Sequence, residues 1–340
     1  MKWRIAINGY GRIGQSVLRA LYQSPLFAEM EIVAINELAD IKTIAYLTRY
    51  DTTHGRFPEG VSVVDEHTLK VGSTDVRILH HELIDDLPWS ALDVDIVFEC
   101  TGRYTTRAAG EQHLLAGAKK VLFSNPAEAS VDKTIVYGVN HETLVAEDQI
   151  VSNASCTTNA LVPILKELDA CFGIEYGTTT TIHSAMNDQP TIDAYHHADL
   201  RLTRSAMQNI VPVDTALAIG VERLLPAMAN KLTAVAVRVP TVNVSAIDLS
   251  VHLTQSVSVD AVNNCFAAAA HHVDGKVIAY TEDPLASSDF NQDTHSCIID
   301  GSQTRVSGER LLKCFIWFDN EWAFANRMLD VSAYWLRKSE

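Results

Sequence analysis

The fold of the first half of this chain is decided by the stretch Arg4–Gly14, which reads RIAINGYGRIG. Its first five residues form an apolar run typical of a short buried strand, and Gln15–Tyr22 shows apolar residues at helical spacing. The three glycines therefore stand between a strand and a helix. In that context the first glycine makes a tight turn, the second lets a pyrophosphate approach the backbone, and the third lets the helix pack closely on the strand. The sequence thus predicts a dinucleotide-binding α/β domain.

Residues at the carboxyl ends of the strands in this domain are the candidates for holding the dinucleotide. Ligands of open α/β sheets lie beyond these ends, and the predicted strands Val94–Cys100 and Lys120–Phe123 end next to small polar residues. A further predicted strand, Glu31–Asn36, is followed by Glu37, whose carboxylate would bind ribose hydroxyls and repel a 2′-phosphate. We therefore expect NAD rather than NADP. The predicted contacts are Gly9, Gly11, Arg12, Ile13, Glu37, Thr101 and Ser124.

A cysteine at the start of a predicted helix is the candidate nucleophile. Cys156 lies in Ser152–Asn159, which reads SNASCTTN, just ahead of the helix-like apolar run Ala160–Phe172. A helix N-terminus favours a thiolate, so we expect the pKa of this thiol to be lowered. The β-branched run Gly177–His183 predicts a strand that carries His183, whose imidazole would lower the thiol pKa further and serve as acid or base. The alternative for Cys156 is an inert buried thiol, which its polar neighbours disfavour.

The composition limits the classes of protein to which the chain can belong. Its 340 residues, 47% hydrophobic and 20% charged, fit a globular protein of two domains. The net charge of -15 argues against broad nucleic-acid binding and requires any phosphate site to gather arginines locally. The six cysteines are scattered, which suits a reducing cytosol better than a disulfide framework or a metal site. No apolar run approaches about 18 residues and the N-terminus leads directly into a strand, so we expect a cytoplasmic protein without leader or membrane span.

The second half predicts an α+β domain with a mostly antiparallel sheet. In Thr233–Pro240 the valines share one face and Arg238 the other, where an arginine either faces water or offers a forked donor to a phosphate. Further strands are predicted at Val244–Leu253 and Lys313–Asp319, and the apolar stripe of a last helix, Glu321–Arg337, is expected to pack back against the first domain. The predicted domains are a Rossmann NAD-binding domain at residues 1–155, completed by residues 320–340, and a catalytic domain at residues 156–319.

Seven segments of the chain occur, in the same order, in a family of known enzymes. They are NGYGRIGQ, VAINE, YDTTHGRF, SNASCTTN, the threonine-rich strand that ends at His183, RVPT and DNEWAFANR. Together they resemble the glyceraldehyde-3-phosphate dehydrogenase superfamily. The resemblance implies an NAD-dependent enzyme that oxidises a phosphorylated aldehyde, usually as a cytosolic homotetramer. It also implies that the polar stretch Asn187–Val211 is a loop near the cofactor site of a neighbouring subunit.

The resemblance also implies roles for individual residues. Cys156 would attack the aldehyde carbon, and His183 would take up the hydroxyl proton. Asn320 would hold the carboxamide of the nicotinamide, whereas its local sequence alone is equally that of a helix cap. The implied substrate-binding residues are Ser155, Thr157, Arg201, Thr215 and Arg238.

Within this family the segment Ile182–His196 looks closest to the branch that oxidises erythrose 4-phosphate. Enzymes of the glyceraldehyde branch tend to have threonine in place of Met186, where it binds the substrate phosphate. They tend to have Thr-Gly in place of Thr215-Ala216, where the pair helps to hold inorganic phosphate. A methionine cannot donate a hydrogen bond, so we expect water to release the product, which would feed pyridoxal phosphate synthesis. The alternatives are a phosphorylating glyceraldehyde-3-phosphate dehydrogenase and a non-catalytic NAD-binding scaffold, which the presence of both Cys156 and His183 disfavours.

Replacement of the candidate nucleophile tests the covalent mechanism. We expect Cys156→Ser to abolish nearly all aldehyde oxidation, because a serine hydroxyl is a far weaker nucleophile than a thiolate at neutral pH. NAD binding should be intact, since the glycine-rich segment is unchanged. NADH formation and NAD titration of the same preparation measure both, and retention of most of the turnover would refute covalent catalysis by this residue.

Overall fold

The computed structural model describes residues 2–196 and 199–339. The chain divides into two compact units, Met1–Ser155 with Phe324–Glu340, and Cys156–Ala323. Residues 320–323 lie with the second unit. Positions 1, 197, 198 and 340 fall within the predicted domains, and two of them within the stretch Asn187–Val211, but they are outside the described residues.

Within the described residues the chain forms seven α-helices, nineteen strands and several short 3₁₀ helices. None of these helices has the length and apolar character that crossing a bilayer requires. The α-helices are α1 (Arg12–Gln23), α2 (Ile41–Arg49), α3 (Arg107–Leu115), α4 (Cys156–Phe172), α5 (Leu217–Leu224), α6 (Val259–Ala269) and α7 (Trp322–Arg337). The strands are β1 (Trp3–Asn8), β2 (Met30–Asn36), β3 (Tyr50–Asp51), β4 (Gly55–Arg56), β5 (Val61–Asp65), β6 (Thr68–Val71), β7 (Thr74–Leu79), β8 (Ile96–Glu99), β9 (Lys120–Phe123), β10 (Lys133–Thr134), β11 (Ile150–Ser152), β12 (Ile174–His183), β13 (Val211–Val213), β14 (Leu232–Arg238), β15 (Ser245–Leu253), β16 (Ile278–Thr281), β17 (Cys297–Asp300), β18 (Arg305–Ser307) and β19 (Leu311–Phe318). The 3₁₀ helices are Pro25–Ala28, Ile84–Asp86, His141–Thr143, Arg201–Thr203, Pro226–Met228, His272–Gly275, Ser287–Phe290 and Gly301–Gln303.

The first unit is built on a nine-stranded sheet in the order β10-β11-β9-β8-β1-β2-β7-β6-β5. The strands from β10 to β7 pair in parallel, and β6 and β5 extend this sheet as antiparallel strands. Strand β1 lies near the centre, where Ile5, Ala6 and Ile7 are completely buried. Because both faces of a central parallel strand are covered, its sequence reads as a continuous apolar run. The sheet therefore brings the carboxyl ends of β8, β1 and β2 to one edge, as the sequence predicted.

The second unit contains an eight-stranded sheet in the order β13-β14-β12-β15-β19-β17-β16, with β18 paired to β19. The pairs β12–β14 and β16–β17 are parallel, and the other pairs are antiparallel. Helix α4 packs against β17 and β19 and against helices α5 and α6. The predicted fold class, a Rossmann domain plus an α+β domain with a mostly antiparallel sheet, is confirmed.

The buried face of β14 is the one that carries Arg238. Val235 is 51% exposed, whereas Ala236 is only 7% exposed. Arg238 has the same parity as Ala236 along the strand, and its side chain is 12% exposed. The simpler expectation, that an arginine in this strand faces water, is therefore wrong. The guanidinium lies in protein surroundings, where a charged partner is required.

Helix α7 belongs to the first unit from Phe324 onward. There Arg337 forms an ion pair of 2.7 Å with Glu29, and the ammonium group of Lys120 lies 4.4 Å from the centre of the Trp335 ring. Trp335 itself is completely buried. The buried ring of Trp335, the ammonium group of Lys120 above it and the ion pair of Arg337 thus hold this helix in the first unit.

Candidate active site

A cleft of about 310 Å³ lies at the carboxyl edge of the parallel sheet in the first unit. Four of the predicted cofactor contacts line it, namely Gly9, Gly11, Glu37 and Thr101. Arg12, Ile13 and Ser124 are not among its lining residues. The cleft is continued by Asn8, Asn36, His81–Ile84, Leu38, Leu87, Cys100, Arg103 and Tyr104.

The glycines of this cleft are required for different reasons. Gly9 has φ of +90°, and a Cβ there would stand 2.6 Å from the backbone nitrogen of Thr101. A Cβ on Gly14 would stand 2.4 Å from the carbonyl oxygen of Gly9, so this residue permits α1 to approach β1. A Cβ on Gly11 would meet no protein atom within 4 Å. The fold itself thus does not need glycine at position 11, and the open space above it fits the close approach of a ligand.

The start of α1 adds hydrogen-bond donors to the same place. Gly11 is the N-cap of α1 and supplies no side-chain acceptor to the N–H groups of the first helical turn. A helix N-terminus of this kind is a ready site for the phosphates of a dinucleotide. These residues therefore fit a bound pyrophosphate.

Glu37 is held as an acceptor beside the cleft. Its carboxylate accepts hydrogen bonds from the N–H groups of Tyr10 at 2.9 Å, Leu38 at 2.7 Å and Ala39 at 3.3 Å. Three backbone donors fix the carboxylate at the carboxyl end of β2. The remaining acceptor capacity fits ribose hydroxyls and opposes an additional phosphate.

Arg12 makes an internal ion pair in this structure. Its guanidinium lies 2.6 Å and 3.2 Å from the two carboxylate oxygens of Asp51. Burial alone would raise the pKa of Asp51, but the Arg12 hydrogen bond and the N–H of His54 outweigh burial and lower it to about 2. Arg12 therefore ties α1 to the segment that reads YDTTHGRF, and its predicted role in cofactor binding stays a prediction.

The second unit brings Cys156 and His183 together. Cys156 is the first residue of α4, and His183 is the last residue of β12. The Sγ of Cys156 lies 3.6 Å from Nε2 of His183. The Nδ1 of His183 is 2.8 Å from the carbonyl oxygen of Ser184 and donates its proton there. The tautomer so fixed leaves Nε2 as a base directed at the thiol.

Both pKa values shift in the direction that favours a neutral pair. Burial raises the pKa of the Cys156 thiol to about 11, although the hydroxyl and N–H of Thr157 act in the opposite direction. Burial also lowers the pKa of His183, and the nearby charge of Arg238 adds to this effect. A helix N-terminus is typically worth about 1 kcal/mol, which is less than one pKa unit and too little to offset the loss of water. The expectation of a lowered thiol pKa is therefore wrong for this structure.

Arg238 is the immediate neighbour of His183 on the adjacent parallel strand. The two residues are paired in register between β12 and β14. The guanidinium of Arg238 binds the carboxylate of Asp188 at 2.6 Å. The arginine and the imidazole thus share one end of this sheet, the thiol of Cys156 lies beside the imidazole, and the carboxylate of Asp188 balances the arginine.

The remaining predicted substrate contacts differ in how closely they approach this cluster. Thr157 has its hydroxyl 3.9 Å from the Sγ of Cys156, and half-buried Ser155 precedes α4 directly. Thr215 is exposed and accepts the N–H of Leu217 at 3.2 Å, just ahead of α5. Arg201 is exposed at the start of a 3₁₀ helix and has its N–H bound to Asp199. The substrate-binding roles of all of these residues stay predictions.

Asn320 is oriented by two buried hydroxyl groups. Its Oδ1 accepts from Ser184 at 3.1 Å and from Ser245 at 2.8 Å. The Ser245 oxygen in turn accepts the N–H of Ser184 at 3.1 Å, so its own proton is free to go to Asn320. The amide nitrogen of Asn320 is thereby left to donate to a ligand. Asp319 accepts the N–H groups of Glu321 and Trp322 at the start of α7, and the predicted role of Asn320 in holding the cofactor stays a prediction.

Two residues with left-handed backbone precede parts of this cluster. Ala154 has φ of +56° two positions before Cys156, and Val244 has φ of +64° immediately before Ser245. Non-glycine residues rarely adopt this region, and a β-branched residue there is a true outlier. Both turns re-aim the chain directly ahead of a residue of the site.

Several residues of the two sites are not found by the sequence reasoning. Glu99 and His113 lie buried in contact behind the cleft of the first unit, and Asp188 binds Arg238 in the second. For Glu99 the available signal is a charged residue at the end of an otherwise apolar strand, in the segment FECTG. A charge at such a buried position requires partners that only the fold reveals.

Paired alanine substitutions test the cofactor cradle. We expect Gly11→Ala to change the free energy of unfolding by no more than about 0.5 kcal/mol, because the added carbon is unhindered. The same carbon would obstruct a bound pyrophosphate and weaken NAD binding by about tenfold or more. Gly9→Ala should instead destabilise the fold by about 2 kcal/mol through its positive φ and backbone clash. Urea unfolding and calorimetric NAD titration measure these effects, and normal NAD affinity of Gly11→Ala would contradict the assignment.

Comparison with known protein families accounts for most of the chain. Residues 3–107 match the family model described as glyceraldehyde 3-phosphate dehydrogenase, NAD binding domain. Residues 155–320 match the model described as glyceraldehyde 3-phosphate dehydrogenase, C-terminal domain. The first match covers the cleft with its glycines and Glu37, and the second covers the pair of Cys156 and His183. The chain therefore belongs to the glyceraldehyde 3-phosphate dehydrogenase family and is an NAD-dependent oxidoreductase that acts on phosphorylated aldehydes.

Proposed function

We propose that this enzyme oxidises D-erythrose 4-phosphate to 4-phosphoerythronate, and that water, rather than inorganic phosphate, releases the acyl group. The product would feed pyridoxal phosphate synthesis. The resemblance of Ile182–His196 to the erythrose-4-phosphate branch supports the choice of aldehyde, and the same resemblance supports a cytoplasmic homotetramer. The choice of water rests on the surroundings of Arg238.

The ion pair of Arg238 with Asp188 is the observation that carries the proposal. The side chain of Arg238 is 12% exposed, and its carboxylate partner lies 2.6 Å from the guanidinium. An inorganic phosphate that binds Arg238 must compete with this carboxylate or accept its negative charge nearby. Either requirement weakens the binding of a free phosphate dianion more than the binding of a phosphate group that is already part of a bound substrate.

Two further positions support a weak site for inorganic phosphate. Met186 is 46% exposed in the turn that follows β12, where its thioether offers no hydrogen-bond donor. Ala216 is the N-cap of α5 and has no side chain to bind an anion. With fewer donors for a free phosphate, water has less competition as the acyl acceptor.

The geometry of Cys156 and His183 supports attack by a thiol that loses its proton during the reaction. As Sγ bonds to the aldehyde carbon, its proton passes to Nε2 of His183 over the 3.6 Å that separate them. The aldehyde oxygen becomes an alkoxide, which the N–H of Cys156 and the protonated imidazole can stabilise. One such donor is typically worth about 3 kcal/mol in the transition state.

His183 then serves as a base in both remaining steps. Bound NAD supplies the hydride acceptor. The protonated imidazole first returns its proton to the alkoxide, which gives the hydroxyl of the thiohemiacetal. His183 takes this proton up again as hydride leaves the carbon and a thioester forms. After this proton has passed to solvent, His183 takes a proton from water as the water oxygen attacks the thioester carbon, and it returns that proton to the thiolate of Cys156 as the thioester breaks. Ser184 keeps Nδ1 occupied throughout, so each transfer uses Nε2.

A phosphorylating glyceraldehyde-3-phosphate dehydrogenase is the alternative with the same fold. Ser155, Thr157, Thr215 and Arg238 would be its phosphate ligands, and its turnover would depend on inorganic phosphate. A non-catalytic NAD-binding scaffold is the alternative from another class. Such a protein would form no NADH from either aldehyde, and modification of Cys156 would change no activity.

Substrate and acceptor are tested in one experiment. NADH formation is measured with erythrose 4-phosphate and glyceraldehyde 3-phosphate, each with and without inorganic phosphate. We expect kcat/KM to be higher for erythrose 4-phosphate by about tenfold or more, or about 1.4 kcal/mol of discrimination, and to be insensitive to phosphate. Preference for glyceraldehyde 3-phosphate with a strict phosphate requirement would refute the proposal.

The double variant Met186→Thr with Ala216→Gly provides the matched comparison. It introduces a donor and removes a Cβ, so phosphate should now stimulate turnover. If phosphate does not stimulate the turnover of this variant, Met186 and Ala216 do not determine the acyl acceptor, and the ion pair of Arg238 with Asp188 is the remaining determinant.

The role of His183 as a base to a neutral thiol predicts a specific pH profile. We expect His183→Asn to reduce turnover by about 10²–10⁴-fold, as is typical for loss of a general base. Alkylation of Cys156 by iodoacetamide should rise into the alkaline range in wild type and variant alike, because burial and not the imidazole sets the thiol pKa.

Alkylation at the other cysteines is subtracted with Cys156→Ser. His252→Asn is the control, since this histidine binds Glu175 at 2.8 Å in the same unit and should be dispensable for turnover. A wild-type plateau near neutral pH that disappears in His183→Asn would instead demonstrate a thiolate–imidazolium pair.

A further inference from the structure

Polar side chains form a continuous chain of hydrogen bonds across the carboxyl edge of the sheet in the first unit. Glu99, Asn8 and Asn36 are the last residues of the neighbouring strands β8, β1 and β2. All three are almost completely buried. Side-chain polar groups at such positions must find partners inside the protein.

One arm of the chain runs from Glu99 toward β7. The amide nitrogen of Asn8 donates to Oε2 of Glu99 at 2.6 Å, and the amide nitrogen of Asn36 donates to Oδ1 of Asn8 at 2.8 Å. The Oδ1 of Asn36 accepts the backbone N–H of His81 at 2.9 Å. This arm therefore ends in a backbone donor.

The other arm runs from Glu99 into the core. Nε2 of His113 lies 3.0 Å from Oε2 of Glu99, and Nδ1 of His113 accepts the indole N–H of Trp89 at 3.0 Å. His113 and Trp89 are completely buried. The other carboxylate oxygen, Oε1, accepts the N–H of Thr101 at 2.9 Å and also its hydroxyl.

The direction of every bond in this chain is determined by its ends. An indole N–H and a backbone N–H can only donate. The indole fixes His113 with its proton on Nε2, and the His81 N–H fixes both amides with their nitrogens toward Glu99. Donors therefore converge on position 99 from both arms and from Thr101. Only a residue that accepts with both side-chain oxygens satisfies all of them, which a glutamate does and a glutamine does not.

We propose that Glu99 is a positioning residue for NAD binding, which holds the floor of the cofactor cleft in a single hydrogen-bonded arrangement. Asn8, Asn36, His81 and Thr101 line the cleft, whereas Glu99 is not among its lining residues. The carboxylate thus acts on the cofactor through its neighbours. Such fixed surroundings reduce the ordering that a ligand must impose when it binds.

The thiol of Cys100 lies next to Glu99 in the wall of the cleft. Burial is the main cause that raises the pKa of Cys100, and the charge of Glu99 raises it further. Cys100 lines the cleft and stays protonated. The cleft therefore has a buried carboxylate behind it and an unreactive thiol in its wall.

Glutamine at position 99 has no orientation that satisfies these donors. If the amide nitrogen of the glutamine points toward Thr101, two donors face each other, and the backbone N–H of Thr101 loses its acceptor. With its nitrogen toward Asn8, both amides must turn over, and Asn36 then opposes the N–H of His81. His113 must also move its proton to Nδ1, which opposes the indole of Trp89. Each orientation leaves buried donors without acceptors.

Calorimetric NAD titration of the purified full chain, without substrate, tests the proposal. We expect Glu99→Gln to weaken NAD binding by about tenfold, measured well below the thermal midpoint of the variant. Glu111→Gln is the control, since this carboxylate lies exposed on α3 with Arg107 as its partner. A purely structural role would lower the thermal midpoint and leave the dissociation constant of the folded protein unchanged, and that outcome would overturn the proposal.

A compensating substitution tests the direction of the bonds. In Glu99→Gln with Asn8→Asp, the new carboxylate accepts from Gln at position 99 and from Asn36, so the arm toward His81 is restored. NAD should bind this double variant more tightly than Glu99→Gln alone. Weaker binding than in both single variants would overturn the assignment. The titration involves no aldehyde, so its outcome is independent of the proposed substrate.

Discussion

The constraint on which this structure depends is that polar side chains at the carboxyl ends of buried strands must be satisfied without water. In the first unit a carboxylate at the end of β8 collects donors from three directions, and the asparagines beside it are oriented in consequence. In the second unit, the carbonyl of Ser184 accepts from His183 and its hydroxyl donates to Asn320. Each unit thus presents a functional edge whose groups have one hydrogen-bonded arrangement.

Burial acts on reactivity in two opposing ways in the second unit. Partial burial of the thiol and the imidazole lowers the local dielectric, which strengthens the hydrogen bonds that stabilise a developing charge. It also keeps both groups neutral at rest. A protonated thiol is slow to react with small electrophiles, so the pair is protected until an aldehyde is held against it. The geometry of Cys156 and His183 is consistent with a nucleophile that is activated by substrate binding.

The sequence predicts this protein well wherever the determining contacts are local. The glycines of Arg4–Gly14 act within one turn, so the strand, turn and helix follow from their order. The start of α4 at Cys156 and the end of β12 at His183 follow from the polar segment and the β-branched run. The match to a known family then places these segments in two domains.

What the sequence cannot predict depends on pairs of residues that are distant along the chain. Asn8 and Glu99 are separated by 91 positions, and nothing local to either residue indicates the other. The thiol pKa shifts in the unexpected direction because helix position is visible in a sequence and burial is not. Arg238 lies on the buried face because small residues of β14, rather than its valines, pack inward, and this depends on the neighbouring elements.

The left-handed residues Ala154 and Val244 bear on how this enzyme could evolve or be engineered toward heat resistance. Each holds a conformation that is typically about 1–3 kcal/mol less favourable than ordinary backbone, at the approach to a residue of the site. Relaxation of either turn would be an accessible route to a more robust fold. The same relaxation would change the direction in which the nucleophile or the amide-orienting serine points. Selection for robustness and selection for turnover therefore act in opposite directions on these two positions.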